Sequence, residues 1–181
     1  YLKDLGIDVV VSNELLKDRT TLYSHLYPET EMIQGDITHP EIFSKIINSS
    51  KAHNIDLLIA TPPCQGMSIA GKMKEDDPRN TLIIKAMETF EQLKPKFMLI
   101  ENVTQMLTTS ILFNNQPIKI VDFIKLYTDK YGYDVSFDTF DAKDYNTPQV
   151  RKRAIIRIYK KGLSWDMPIR NPLITVQDAI G

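Results

Sequence analysis

The 181-residue chain has one cysteine and three histidines, and no apolar run approaches the roughly 20 residues needed to cross a bilayer. A single cysteine excludes an internal disulfide, and with it the disulfide-stapled secreted class. His25, His39 and His53 are scattered without metal-ligand spacing, so no metal site is expected. The opening YLKDLGIDVVVSNE carries acids among its apolar residues, unlike a secretory signal. Net charge is −1, which excludes a polycation that grips nucleic acid by bulk charge. There is no internal repeat and no low-complexity tract. The length fits one domain and the 43% apolar content is ordinary for a globular one. These features predict an intracellular, reduced, metal-free protein with no membrane segment.

Short β-branched runs alternate with segments of helical spacing. Strands are expected over 7–12, 31–36, 55–61, 96–102, 133–142 and 153–159, and helices over 14–27, 38–53, 77–94 and 118–132. Thr38 is expected to cap the second helix, Pro78 to open the third and Gly132 to close the fourth. The last two strands are expected to pair as an antiparallel edge, and residues 160–181 read as loop. Strand–helix repetition predicts an α/β fold with a mainly parallel sheet.

In an open parallel sheet, ligands bind beyond the carboxyl ends of the strands. Here those ends are loaded: Glu14 after the first run, Asp36 after the second, then Pro62, Pro63, Cys64 and Gln65, then Glu101 and Asn102. One acid after a strand is ordinarily a helix cap; four such ends in succession favour a pocket. A lone cysteine is ordinarily an inert buried thiol. Cys64, set behind two stiffening prolines among these polar ends, reads instead as a nucleophile. Residues 143–170 hold eight basic side chains against two acids, a stretch that reads as solvated surface unless it meets phosphate.

With these residues in view, PPCQGMS (62–68), ENV (101–103) and PQVRKRAIIRI (148–158) resemble, in order and spacing, the motifs of the cytosine-5 DNA methyltransferase family. The resemblance runs from about residue 5 to the end of the chain. It implies a Rossmann-like, S-adenosylmethionine-dependent methyltransferase fold with helices on both faces of the sheet. It also implies a substrate, double-stranded DNA with a cytosine flipped from the stack, and a covalent mechanism. Cys64 would add to carbon 6 of the base, Glu101 would hold ring nitrogen 3 and the exocyclic amine, and Asn102 would brace the nucleophile's loop. Arg151 would contact the base carbonyl and Arg153 would support the site or a phosphate. Gln65, Ser68 and Gln149 are implied DNA contacts, with 66–80 as a mobile loop. For S-adenosylmethionine, Glu14 would bind the ribose hydroxyls, Asp36 and Ile37 the adenine, and Pro62 and Leu82 would add further contacts. The bacterial relatives that accompany restriction enzymes set the expected setting, the cytoplasm.

The family's Phe-x-Gly-x-Gly turn is not in the chain, which begins just before what would be the second strand. The resemblance therefore implies a partial domain: 1–159 as catalytic domain lacking its first strand, and 160–181 as a linker toward a target-recognition region, with the missing part of the same enzyme as a partner. Thr61, Met67 and Asn146 replace residues usual in the family; asparagine at 146 can take the left-handed backbone that glycine would. Two alternatives stay open: a transfer-RNA cytosine-5 methyltransferase, and a non-catalytic fragment or subunit that needs a partner.

Overall fold

The computed structural model describes residues 2–63 and 81–181. Three groups of strands organise it: a parallel pair, β1 (Val11–Glu14) with β2 (Glu31–Gln34); a four-stranded sheet of β3 (Leu57–Ala60), β4 (Phe97–Asn102), β8 (Lys152–Lys160) and β7 (Tyr133–Asp141), in that order; and a hairpin of β5 (Ser110–Phe113) and β6 (Gln116–Lys119). β3 and β4 run parallel, whereas β8 is antiparallel to both β4 and β7. Apart from the hairpin, four of the six strands therefore lie in parallel pairs, and the antiparallel edge expected from the sequence is present.

The helices are α1 (Lys17–Leu26), α2 (Pro40–His53), α3 (Thr81–Leu93), α4 (Ile120–Tyr131) and a short α5 (Val176–Ile180). The core sits between α3, α4 and one face of the four-stranded sheet, where Ile83, Met87, Phe90, Phe123 and Ile124 meet Met98, Ile100, Ile156 and Ile158. Strand alternation decides which residues reach it. Met98, Ile100 and Asn102 of β4 are buried, and the intervening Phe97, Leu99 and Glu101 turn to the opposite face. Gly132 closes α4 with φ 75°, and its N–H bonds the Thr128 carbonyl. Tyr133 follows, nearly buried, with its hydroxyl donating to the Pro95 carbonyl at 2.8 Å.

Four expectations needed revision. The first strand lies at 11–14 rather than 7–12, because a ladder needs a partner and β2 begins only at Glu31, whose N–H bonds the Val10 carbonyl. Thr38 does not cap α2: His39 is at the cap position, Pro40 opens the helix, and the Thr38 hydroxyl bonds Asp36 instead. The β5–β6 hairpin was not expected; Asn114 and Asn115 turn it with φ 52° and 59°, the positive pair that a two-residue hairpin turn requires. Residues 160–181 are not all loop, since Thr175 and Asp178 form a reciprocal cap on α5. Trp165 also packs edge-on against Phe97, and Arg157 donates to the carbonyls of Trp165 and Asp166.

Candidate active site

Alternation along β4 places two neighbouring polar residues on opposite faces at the strand tip. Asn102, 2% exposed, turns inward, and its Nδ2 donates to the Pro62 carbonyl at 3.0 Å. Its Oδ1 accepts from the Val103 N–H at 2.8 Å. One side chain thus ties the end of β4 to the segment leaving β3. Glu101 turns to the other face, opposite Ile155 of β8. Arg153, two residues along β8 on that same face, lies on the diagonal within reach of Glu101, and its Nε meets Glu101 Oε1 at 3.0 Å. Both side chains are partly exposed, so the pair is a directional contact rather than a large stabiliser.

These residues line a cleft of about 180 Å³ together with Pro62, Pro63, Val103 and Arg151. Five of the candidate residues (Pro62, Glu101, Asn102, Arg151 and Arg153) therefore share one cavity. Cys64, Gln65 and Ser68 lie outside the described residues, although Pro62 and Pro63, which lead directly into Cys64, form one wall. Gln149 is exposed in the β7–β8 connection and does not line the cleft. Asn146 of that connection has φ 55°, the left-handed backbone expected of it.

The basic stretch divides. Arg157 is buried on β8, held by Asp138 Oδ2 at 3.0 Å, and Lys160 sits at the opposite end of the strand from Arg153. Arg151 and Arg153 alone among the eight basic side chains line the cleft.

Glu14 and Asp36 stand at neighbouring tips of the parallel pair. Glu14 pairs in register with Gln34, and the Gly35 N–H bonds the Glu14 carbonyl at 3.0 Å, which sets Asp36 immediately beyond. Gly35 has φ 144°, and a Cβ there would lie 2.7 Å from Ile42 Cδ1, so the turn is made for glycine. Asp36 Oδ1 accepts from both the N–H and the hydroxyl of Thr38, each at 2.8 Å. These bonds, the backbone one first, hold its carboxyl below the usual carboxylate range. Glu14 Oε1 accepts from the Leu16 N–H at 2.9 Å, and Arg19 lies 3.6 Å from its Oε2. Asp36 is fixed through Oδ1 by Thr38, and Glu14 is held through Oε1 by the Leu16 N–H with Arg19 near its Oε2. Two oriented acceptors, with half-buried Ile37 next to Asp36, suit a nucleoside that offers hydroxyl and amino donors. Leu82 is half-buried in the first turn of α3.

Asn13 was not singled out from the sequence. Its Nδ2 bridges the carbonyls of Ile33 and Gly35 at 2.9 and 3.0 Å, pinning the β2 tip that carries Asp36. The signal was a polar amide in the first strand just after the valine run of VVVSNE, where it must find partners when partly buried. Among the described residues no group of three or more His, Cys, Asp or Glu side chains is placed to hold a metal ion, and no helix is long and apolar enough to cross a membrane.

The sequence profile of one family, the C-5 cytosine-specific DNA methylases, matches residues 1–179. The chain belongs to that family. This methylase chain is 43% identical over 188 residues to the type II methyltransferase M1.HgaI of Avibacterium volantium, covering 100% of the chain and 52% of that protein. It is 35% identical over 154 residues to the type II methyltransferase M.AquIA of a Picosynechococcus strain, covering 78% of the chain and 58% of that protein. The chain thus spans about half the length of the curated relatives it matches. A solved E. coli prophage protein described as a DNA modification methyltransferase superposes with a TM-score of 0.72 at 26% identity, over 97% of the methylase chain and 48% of its own. The Spodoptera frugiperda DNMT2 structure, at 20% identity and a TM-score of 0.65 over 96% and 50% of the two chains, shows the shared fold. That fold is the α/β fold of S-adenosylmethionine-dependent methyltransferases.

Proposed function

We propose that the full-length protein is a bacterial, cytoplasmic DNA (cytosine-5) methyltransferase of a type II restriction-modification system. The observation that carries this reading is the convergence of Glu101, Arg151 and Arg153 on the cleft walled by Pro62 and Pro63, the segment that runs into Cys64. Residues 1–159 belong, in this reading, to the catalytic domain, and 160–181 lead toward a target-recognition region.

A cytosine flipped from double-stranded DNA would enter this cleft. The Cys64 thiolate forms a bond to carbon 6, and the displaced electron pair builds up at carbon 5. Glu101 holds ring nitrogen 3 and the amino group, stabilising charge where it develops. Arg153 fixes one oxygen of Glu101, so the other is left to face the base. Arg151 bonds the base carbonyl. Asn102 holds the Pro62 carbonyl, two residues before Cys64 in the chain. Gln65, Ser68 and Gln149 contact the DNA. S-adenosylmethionine, when bound, supplies the methyl group that carbon 5 takes up, and S-adenosylhomocysteine is left. Loss of the carbon-5 proton to a base then re-forms the double bond as the sulfur departs. Glu14 holds the ribose hydroxyls of the cofactor, Asp36 and Ile37 its adenine, and Pro62 and Leu82 complete its pocket.

The test is covalent trapping. With S-adenosylmethionine and DNA containing 5-fluorocytosine, the full-length protein should give a stable protein–DNA adduct, because fluorine cannot leave as a proton does. Cys64→Ser should give none. An adduct in that variant would overturn the assignment of the nucleophile, and equal methylation of a matched RNA would overturn the choice of DNA.

A further inference from the structure

Asp141 is the last residue of β7 and pairs with Lys152, the first of β8. It falls in phase with Tyr133, Val135 and Phe137, which pack into the core, and is itself only 7% exposed. An acid at such a position carries a desolvation cost unless it is bonded. One oxygen is bonded: Oδ1 accepts from the Arg151 N–H at 2.9 Å. The Arg151 carbonyl in turn accepts from the Ala142 N–H at 3.1 Å. Both peptide groups of Arg151 are thereby held, although the residue is exposed and ends the connection 142–151. The other carboxylate oxygen, Oδ2, is buried without a hydrogen-bond partner among the described residues. The fold tolerates that orphaned oxygen at the neck of the loop that delivers Arg151 to the cleft.

We propose that Asp141 is a positioning residue for methyl transfer: its carboxylate anchors the backbone of Arg151, so that the guanidinium enters the cleft beside Glu101 and Arg153 from one fixed origin. The inference rests on the reading of Arg151 as the contact to the base carbonyl. An arginine side chain has many rotamers, and the protein controls it by fixing its Cα and then its surroundings. Without Asp141, Arg151 keeps the Ala142–Arg151 backbone bond but loses the bond to its own N–H, and it gains freedom at a point where displacement of about 1 Å costs about 10²-fold in rate.

The experiment uses the full-length protein with Asp141→Ala, Asp141→Asn, Asp141→Glu, Arg151→Ala and the Asp141→Ala/Arg151→Ala double variant. Single-turnover methylation of DNA, equilibrium binding of S-adenosylmethionine and thermal unfolding are measured on each. Asp141→Ala should lower the methylation rate by about 10²-fold with cofactor binding unchanged. The double variant should be no slower than Arg151→Ala alone, because both remove one function. Asp141→Asn should restore most of the rate, since its amide oxygen still accepts from Arg151. Asp141→Glu keeps the charge but moves the oxygen by a methylene; it should be slow while still binding cofactor, and it decides the matter should Asp141→Ala not fold. Independent, multiplicative effects of the two substitutions, or an Asp141→Asn protein as slow as Asp141→Ala, would overturn the inference. If Arg151→Ala is impaired and Asp141→Ala is not, the role of Asp141 alone falls. A fully active Arg151→Ala removes the assigned role of Arg151, and that of Asp141 with it.

Discussion

Replacing Asn102 by alanine should damage stability and chemistry together, by an amount that follows from two hydrogen bonds. Asn102 is nearly buried and serves the Pro62 carbonyl at 3.0 Å and the Val103 N–H at 2.8 Å. A net hydrogen bond is worth about 1 kcal/mol, and a partner stranded away from water costs about 1–3 kcal/mol. Loss of both bonds at partly buried groups therefore comes to roughly 2 kcal/mol, rising where water cannot reach. For a domain of this size that is a fall in Tm of about 4–8 °C. Asn102→Asp sharpens the test. It keeps an acceptor for Val103 but turns an oxygen toward the Pro62 carbonyl, so it should loosen the Pro62–Pro63 segment more than alanine does. Thermal unfolding reads the first effect, and the rate of covalent adduct formation on 5-fluorocytosine DNA reads the second. An Asn102→Ala protein that melts like the parent and forms the adduct at the parental rate would refute the idea that this amide couples the two strand tips.

Other outcomes follow from the β1–β2 tips. Gly35→Ala would put a methyl against Ile42 in a backbone conformation rare for L-residues, costing about 1–3 kcal/mol; Tm should fall and calorimetric affinity for S-adenosylmethionine should weaken, because Asp36 is displaced. The Asp36 carboxyl is held below its ordinary range by Thr38, so this contribution to stability is complete above the unfolded carboxylate value, near pH 4, and fades as pH falls through the lower folded value. The gap in Tm between the parent and Thr38→Val, which loses the hydroxyl bond, should therefore be constant from about pH 5 to 8 and narrow below about pH 4; a gap that widens in acid would contradict the sign.

How much was visible beforehand depended on whether the deciding relation was local. Asn114 and Asn115, and the Thr175–Asp178 capping pair, were local signals present in the sequence and passed over, which cost the hairpin and α5. Thr38 does not act as the expected cap because a cap must accept a helix N–H through its side-chain oxygen at the position before the helix, and His39 holds that position while the Thr38 hydroxyl donates to Asp36. The acids at the strand ends were legible from position alone, since parallel strands end on one edge. That Arg153, rather than any other of the clustered bases, meets Glu101 was not legible, because it depends on the register of β8 against β4 across more than fifty residues of chain. Asn13 and Asp141 were polar residues in phase with apolar ones, and only the folded neighbours show what each one holds.

The back-to-back arrangement of Glu101 and Asn102 makes the end of β4 intolerant of slippage. A deletion or insertion of one residue upstream in that strand would rotate the carboxylate into the hydrocarbon interior and swing the amide out to solvent in a single event. A change of chain length by an odd count in this strand therefore undoes the placement of the acid and the loop tether together.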